Sequence, residues 1–224
     1  MFYKEKLASY IDHTLLASDA TKEQLSKLCK EAIDYNFASV CVNGSRVKYC
    51  VSLLKESAVK VCSVVGFPLG AMESRSKAFE ARQALLDGAT EIDMVINIGF
   101  LKEKEDALVV EDIRGVKNEC KDKILKVIIE TSLLTEEEKI RACKLAVDGG
   151  ADFVKTSTGF SKGGATTEDV ALMKKSVPPN IKVKAAGGVR TFDDAQKMIA
   201  SGASRIGTSG GVAIIEGATF DGSY

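Results

Sequence analysis

Short runs rich in valine and isoleucine recur along the chain, each followed by a polar turn and a stretch whose apolar positions return every three or four residues. The runs are IDHTLL, ASVCV, KVCSVVG, EIDMVIN, LKVIIE, DFVKTS, IKVKAAGG and SRIGTS. They are apolar without clean alternation, the pattern of parallel strands covered by helices. The stretches between them read as amphipathic helices. Thr21 and Gln24 have the spacing of a capping box, and Leu25, Leu28, Cys29, Ala32 and Ile33 then fall on one face. Thr135 with Glu138 opens a second such helix, carrying Ile140, Cys143 and Val147. Thr191 with Asp194 opens a third, carrying Ala195, Met198 and Ile199.

Strict alternation of strand and helix admits a doubly wound sheet or an eightfold barrel. Eight units across 224 residues leave 28 for each, enough for one strand, one helix and two short loops. The count favours an α/β fold of the (β/α)8 TIM-barrel type, spanning 1–224 as a single domain with a short N-terminal helical extension.

A weak internal repeat locates the chemistry. Three helix ends read LLDGATEID, AVDGGADFVK and IASGASRIG, each with a glycine suited to the left-handed position that follows a helix. Five residues beyond Gly88, Gly150 and Gly202 stand Asp93, Lys155 and Gly207, and the same step from Asn36 reaches Cys41. These are strands two, four, six and eight, and alternate strands of such a barrel contribute one interior layer. A lysine and an aspartate are thereby expected together inside the barrel. A bare charge there would be very costly, which points to function.

Charge and composition narrow the classes. Lysine plus arginine equals aspartate plus glutamate at 31 each, a poor balance for nucleic acid or an anionic membrane. The longest uncharged stretch, Val61 to Met72, is interrupted by Gly66, Pro68 and Gly70 and is too short to span a bilayer. The start MFYKEKLASY carries charges where a signal peptide needs an apolar run, so a cytoplasmic location is expected. Six cysteines form no C-x-x-C pair and read as reduced and buried. His13 is the single histidine, which removes multi-histidine zinc sites and most histidine triads. No metal or other cofactor is expected, and acid–base chemistry falls to lysine, aspartate or tyrosine.

Lys60 and Lys182 precede apolar runs and read as pointing to solvent at the N-terminal rim. Lys126 reads either way, because alternation with Ile128 and Glu130 would turn it inward. Lys155 and Lys184 differ, since each sits near the C-terminal end of its strand just before small residues, and their strands are neighbours. Two cations in one dry mouth lower each other's pKa, leaving one amine neutral enough to attack a carbonyl. The structural alternative is a pair of ion pairs with Asp93 and another acid. Phosphate-binding features follow strands seven and eight. Gly187-Gly188-Val189-Arg190 leads into the helix capped at Thr191, and Gly207-Thr208-Ser209-Gly210-Gly211 into the last one. Backbone N–H groups at helix starts, with Arg190 as a bidentate cation, suit a dianion. Gly159 to Gly164 forms a third glycine-rich loop.

Taken together, IDHTLL, EIDMVINIG, LKVIIET, DFVKTSTGF, GGAT and VKAAGGVRT resemble the deoxyribose-phosphate aldolase family in order and spacing, from about Tyr10 to Gly217. The resemblance implies a class I aldolase that reversibly cleaves 2-deoxy-D-ribose 5-phosphate into acetaldehyde and D-glyceraldehyde 3-phosphate. It assigns the Schiff base to Lys155, and proton donation and acceptance to Lys184 and Asp93. It places Asp12, Cys41 and Lys126 at pocket positions; Thr14, Thr156, Gly159, Gly187, Gly188, Arg190, Gly207 and Ser209 are the further residues expected to bind substrate. Some relatives carry a lysine just after the TSTG glycine. Here that residue is Phe160, so a phosphate contact from this loop falls to backbone or to Lys162. The competing classes are a sugar-phosphate isomerase or epimerase, a transaldolase-like aldolase, and a noncatalytic phosphate-ligand binder. Small-molecule phosphosugars and aldehydes are the expected partners, and pairing of outer helices into a homodimer is expected by analogy with other barrels. Tyr224 reads either as a frayed end or as a phenol folded over the mouth to relay a proton.

Overall fold

In the computed structural model, which describes residues 4–222, the eight apolar runs are eight parallel strands. They are β1 (Ile11–Leu15), β2 (Ser39–Val42), β3 (Lys60–Val65), β4 (Glu91–Val95), β5 (Ile124–Ile128), β6 (Phe153–Lys155), β7 (Lys182–Ala186) and β8 (Arg205–Thr208). Each pairs with the next in chain order, and β8 returns to β1, so the sheet closes. Around it run α1 (Lys4–Ala8), α2 (Lys22–Asp34), α3 (Val47–Leu54), α4 (Ser74–Leu86), α5 (Ile98–Lys102), α6 (Asp106–Cys120), α7 (Glu136–Asp148), α8 (Thr167–Ser176), α9 (Phe192–Ala200) and α10 (Gly211–Glu216). The short N-terminal extension is α1, whose Leu7 and Ala8 join the core. No helix among the described residues is long and apolar enough to cross a membrane.

The strands look uniformly apolar because both of their faces are buried. Val40 and Val42, Ile92 and Met94, Leu125 and Val127, Val154, and Val183 and Ala185 belong to the main apolar core. The alternate positions face the barrel axis and are largely polar, so the apolar core lies between barrel and helices. All three capping boxes form, at Thr21–Gln24, Thr135–Glu138 and Thr191–Asp194. Ile33, placed by its spacing on the buried face of α2, is instead 41% exposed. Eight residues past Leu25, at about 100° each, it has turned about 80° off that face.

The repeat of helix-ending turns is present. Gly88, Gly150 and Gly202 have φ of +104°, +92° and +113°, and Asn36 has +55°. Each follows a helix and turns the chain into the next strand at a fixed distance, so the fifth residue beyond occupies an equivalent place in the barrel wall.

Candidate active site

The strand pleat that turns valines outward turns charges inward. Asp93 on β4 is the centre of the resulting network and is fully buried. Its Oδ1 accepts from Lys126 Nζ at 2.8 Å and from Cys62 Sγ at 3.1 Å. Its Oδ2 accepts from Lys155 Nζ at 2.8 Å and Lys184 Nζ at 2.7 Å. Lys184 reaches a second carboxylate, Asp12 Oδ2, at 2.6 Å. Lys126 likewise reaches Glu91 Oε2 at 2.6 Å. Arg205 pairs with Glu91, Nη2 to Oε1 at 2.7 Å, and also with Asp12, while Ser39 Oγ donates to Asp12 Oδ1 at 2.7 Å. Lys126 therefore points inward, whereas Lys60 and Lys182 are exposed at the starts of their strands.

The electrostatics are set by contest between burial and partners. Burial pushes the Asp93 carboxyl upward, but Lys126, Lys155 and Lys184 outweigh it and hold the group well below the usual carboxylate range. Asp12 is lowered in the same way by Lys184, Arg205 and Lys126 against its burial. Burial pushes Lys184 down, yet Asp12 and Asp93 more than reverse this and raise it above the ordinary lysine value. Mutual lowering of the two strand-end lysines is thus not what Lys184 shows, because two carboxylates lie between 2.6 and 2.7 Å from its nitrogen. Lys126 is raised as well, its carboxylate partners overcoming burial.

Three carboxylates (Asp12, Glu91, Asp93) face four cationic side chains (Lys126, Lys155, Lys184, Arg205) in this closed interior. Lys126, Lys184 and Arg205 each contact at least two of the carboxylates; Lys155 contacts Asp93 alone. Lys155 is thus the least paired of the four cations. Cys41, Cys62 and Asp93 lie within 4.8 Å of one another as potential metal donors. A metal ion there would face the three ammonium groups already on Asp93, so the donor set suits proton traffic better than a metal.

A cavity of about 250 Å³ lies among the loops after β6, β7 and β8. Gly159, Lys162, Gly187, Gly188, Arg190 and Ser209 all line it. The loops approach backbone to backbone: a Cβ on Gly164 would stand 2.4 Å from the Gly187 carbonyl oxygen. The start of α9 differs from the expected anion site. The N–H groups of Arg190 and Thr191 donate to Asp194 Oδ2 at 3.2 and 3.0 Å, so a carboxylate of the chain already holds them. Gly210 N–H likewise donates to Thr208 Oγ1 at 3.1 Å. The side chains of Arg190 and Lys162 remain as the cations at this cavity.

Other positions serve the wall. Thr156 Oγ1 donates to the Ala186 carbonyl and accepts from Ala186 N–H, both at 3.1 Å, tying β6 to β7. Thr14 donates its hydroxyl to the Asp12 carbonyl at 2.8 Å and sits opposite Cys41. Gly207 lies opposite both Asp12 and Ala186 in the strand register. Tyr224 lies outside the described residues, but the chain leading to it borders the cavity: Phe220 N–H donates to the Arg190 carbonyl at 3.0 Å, and Phe220 and Gly222 line the cavity.

The model of the DeoC/LacD family aldolases matches residues 6–217. The chain belongs to this aldolase family. A deoxyribose-phosphate aldolase of Geobacillus sp. is 60% identical over 222 residues, covering 99% of this chain and 100% of that one. One from Clostridium perfringens is 56% identical over 222 residues, with 99% of each covered. Among solved structures, the tetrameric deoxyribose phosphate aldolase of Aeropyrum pernix superposes with a TM-score of 0.90 at 35% identity, covering 95% of this chain and 91% of that one.

Several members of this aldolase's network escape a motif reading. Glu91, Arg205, Cys62 and Ser39 sit among strand residues that resemble rim polar groups. A signal was present: Glu91 is two residues before Asp93, Arg205 two before Gly207 and Ser39 two before Cys41, so the same pleat turns each pair inward.

Proposed function

We propose that this aldolase reversibly cleaves 2-deoxy-D-ribose 5-phosphate into acetaldehyde and D-glyceraldehyde 3-phosphate through an imine on Lys155. The observation that carries the assignment is the unequal pairing of two neighbouring lysines. Both touch Asp93 Oδ2, but Lys184 is fixed by Asp12 as well. Loss of a proton from Lys155 leaves three cations against three carboxylates, a neutral interior.

The neutral Lys155 amine adds to the C1 aldehyde, and loss of water gives a protonated imine. A base takes the proton of the 3-hydroxyl, the bond between C2 and C3 breaks, and its electron pair flows into the imine. Glyceraldehyde 3-phosphate leaves; the enamine takes a proton at C2 and hydrolysis releases acetaldehyde. Asp93 bridges and orients both amines, and it and Lys184 are the groups within reach to accept and donate these protons. The 5-phosphate is placed against Arg190 and Lys162 at the cavity.

Borohydride reduction in the presence of acetaldehyde tests the class. One ethyl group should appear on the chain; no adduct would favour an isomerase or a phosphate binder instead. The phosphate placement has its own test in Arg190→Ala. Its KM for the 5-phosphate sugar should rise more than about tenfold, since a charge-assisted contact is worth roughly 1.5–3 kcal/mol. Unphosphorylated deoxyribose should be much less affected. Equal losses on the two sugars would remove Arg190 from phosphate binding.

A further inference from the structure

Just beyond the end of β5 the hydrogen-bond ladder to β6 slips. Ile128 stands opposite Lys155 in the strand register. Ile129 N–H donates to the Lys155 carbonyl at 3.0 Å, and Thr131 N–H then donates to the Thr156 carbonyl at 2.9 Å. An unbroken parallel ladder would carry Thr131 to the carbonyl of Ser157 instead. The chain after β5 therefore holds an extra residue, Glu130, as a bulge beside the Lys155 end of β6. Glu130 has φ of +54°, a left-handed conformation that is costly for a residue with a side chain.

The Glu130 side chain is held by the loop between β6 and α8. It is buried, and its Oε2 accepts from Thr158 N–H at 3.2 Å and from Thr158 Oγ1 at 2.5 Å. That hydroxyl accepts in turn from Phe160 N–H at 3.0 Å. Among the described residues every hydrogen bond to this carboxyl comes from Thr158, and its Oε1 is buried without a partner. A left-handed backbone and a buried carboxyl with half its acceptors unused both lower stability. Their position at the end of the Lys155 strand points to a use in function.

The loop that Glu130 holds is one wall of the phosphate cavity. Gly159, which directly follows Thr158, lines the cavity, as do Lys162, Gly163 and Gly164. The segment after β5 supports this loop a second time: a Cβ on Gly163 would lie 2.6 Å from Ser132 Cβ. At its far end Ala165 N–H donates to the Gly187 carbonyl at 2.9 Å. Lys155 has separate supports. Its ammonium rests on Asp93, its carbonyl takes the Ile129 N–H, and the next residue, Thr156, is tied twice to Ala186. Glu130 thus bears on the placing of the loop more than on the placing of the amine.

We propose that Glu130 is a positioning residue for the phosphate site: its two bonds to Thr158 set where the Gly159 backbone and Lys162 stand against the substrate 5-phosphate. This rests on the reading of the cavity as the place of that phosphate. Glu130 acts through Thr158 and not by contact with the phosphate, which a carboxylate would repel. What the loop needs from it is an acceptor oxygen at the right reach, not a charge.

The test compares the parent chain with Glu130→Ala, Glu130→Gln and Thr158→Val. For each, kcat and KM are measured on the 5-phosphate sugar and on unphosphorylated deoxyribose, together with the rate of the borohydride-trapped acetaldehyde adduct at Lys155. Glu130→Ala should raise KM for the phosphorylated sugar about tenfold or more, the scale of one hydrogen bond to a charged group. Its kcat, its KM for the plain sugar and its adduct rate should stay near the parent values. Glu130→Gln keeps an amide oxygen at the same reach and should restore the parent KM. Thr158→Val removes the hydroxyl and should raise the same KM; combined with Glu130→Ala it should add little, because both remove one link. An unchanged KM in Glu130→Ala, equal losses on the two sugars, or a Glu130→Gln as impaired as Glu130→Ala would each overturn the proposal. Should Glu130→Ala take no label at Lys155 and so prove unfolded, Thr158→Val decides, and an unmoved KM there overturns the proposal. A parent chain that shows no preference for the phosphorylated sugar overturns the phosphate reading of the cavity and the proposal together.

Discussion

Lys155→Leu should abolish both turnover and the borohydride adduct while leaving the chain as stable as the parent. Most removals of a buried charge destabilise by about 3–5 kcal/mol, because the partner is left uncompensated in a dry interior. Here the arithmetic runs the other way. Asp12, Glu91 and Asp93 retain Lys126, Lys184 and Arg205 as direct partners, so the interior remains neutral without Lys155. Asp93 still accepts from Lys126, Lys184 and Cys62. The expected result is a folded, inactive chain, measured by thermal unfolding alongside activity and mass mapping. A residual adduct on Lys184 would overturn the assignment. A large drop in melting temperature would show that Lys155 is a structural cation and that the charge count is wrong.

The fold was legible in the chain to a degree the site was not. Eight apolar runs, three capping boxes and four left-handed turn residues are local signals, and each is tied to one element of the barrel. The five-residue step from Gly88 and Gly150 to Asp93 and Lys155 even put two interacting side chains in the same wall. What local signals miss is the partner across the barrel. Lys126 read equally as a rim lysine or an interior one, because the deciding contacts come from Glu91 and Asp93 on the neighbouring strand. Arg205 belongs to no motif of the chain, yet its guanidinium turns in to Glu91 and Asp12. The direction of the Lys184 shift was unreadable for the same reason: Asp12 lies far away in the chain and meets it only when the barrel closes. The glycine-rich loops correctly drew attention to the cavity. That Asp194 already holds the first N–H groups of α9 became visible only in the folded geometry.

Lys184→Leu should behave in the opposite way from Lys155→Leu: turnover falls, yet the adduct survives and its pH midpoint moves upward. General acid–base groups typically contribute about 10²–10⁴-fold, which sets the expected loss of turnover. The adduct persists because the nucleophile is untouched. Its pH profile shifts because Asp12, Glu91 and Asp93 would face Lys126 and Arg205 alone, and a proton on Lys155 would restore the balance. Neutral Lys155, the form that attacks, would then need a higher pH. Two features of the parent make this profile interpretable. Asp93 is held well below the carboxylate range, so its charge is lost only as pH falls far into acid. Lys184 is raised above the ordinary lysine value, so its charge is lost only as pH rises beyond that value. Neither titrates near neutrality. Initial adduct rates for the parent and Lys184→Leu across the neutral and alkaline range decide the matter. A midpoint that stays put or moves down would mean that Lys184 does not set the charge balance at Lys155, leaving it a positioning residue for Asp12 and Asp93.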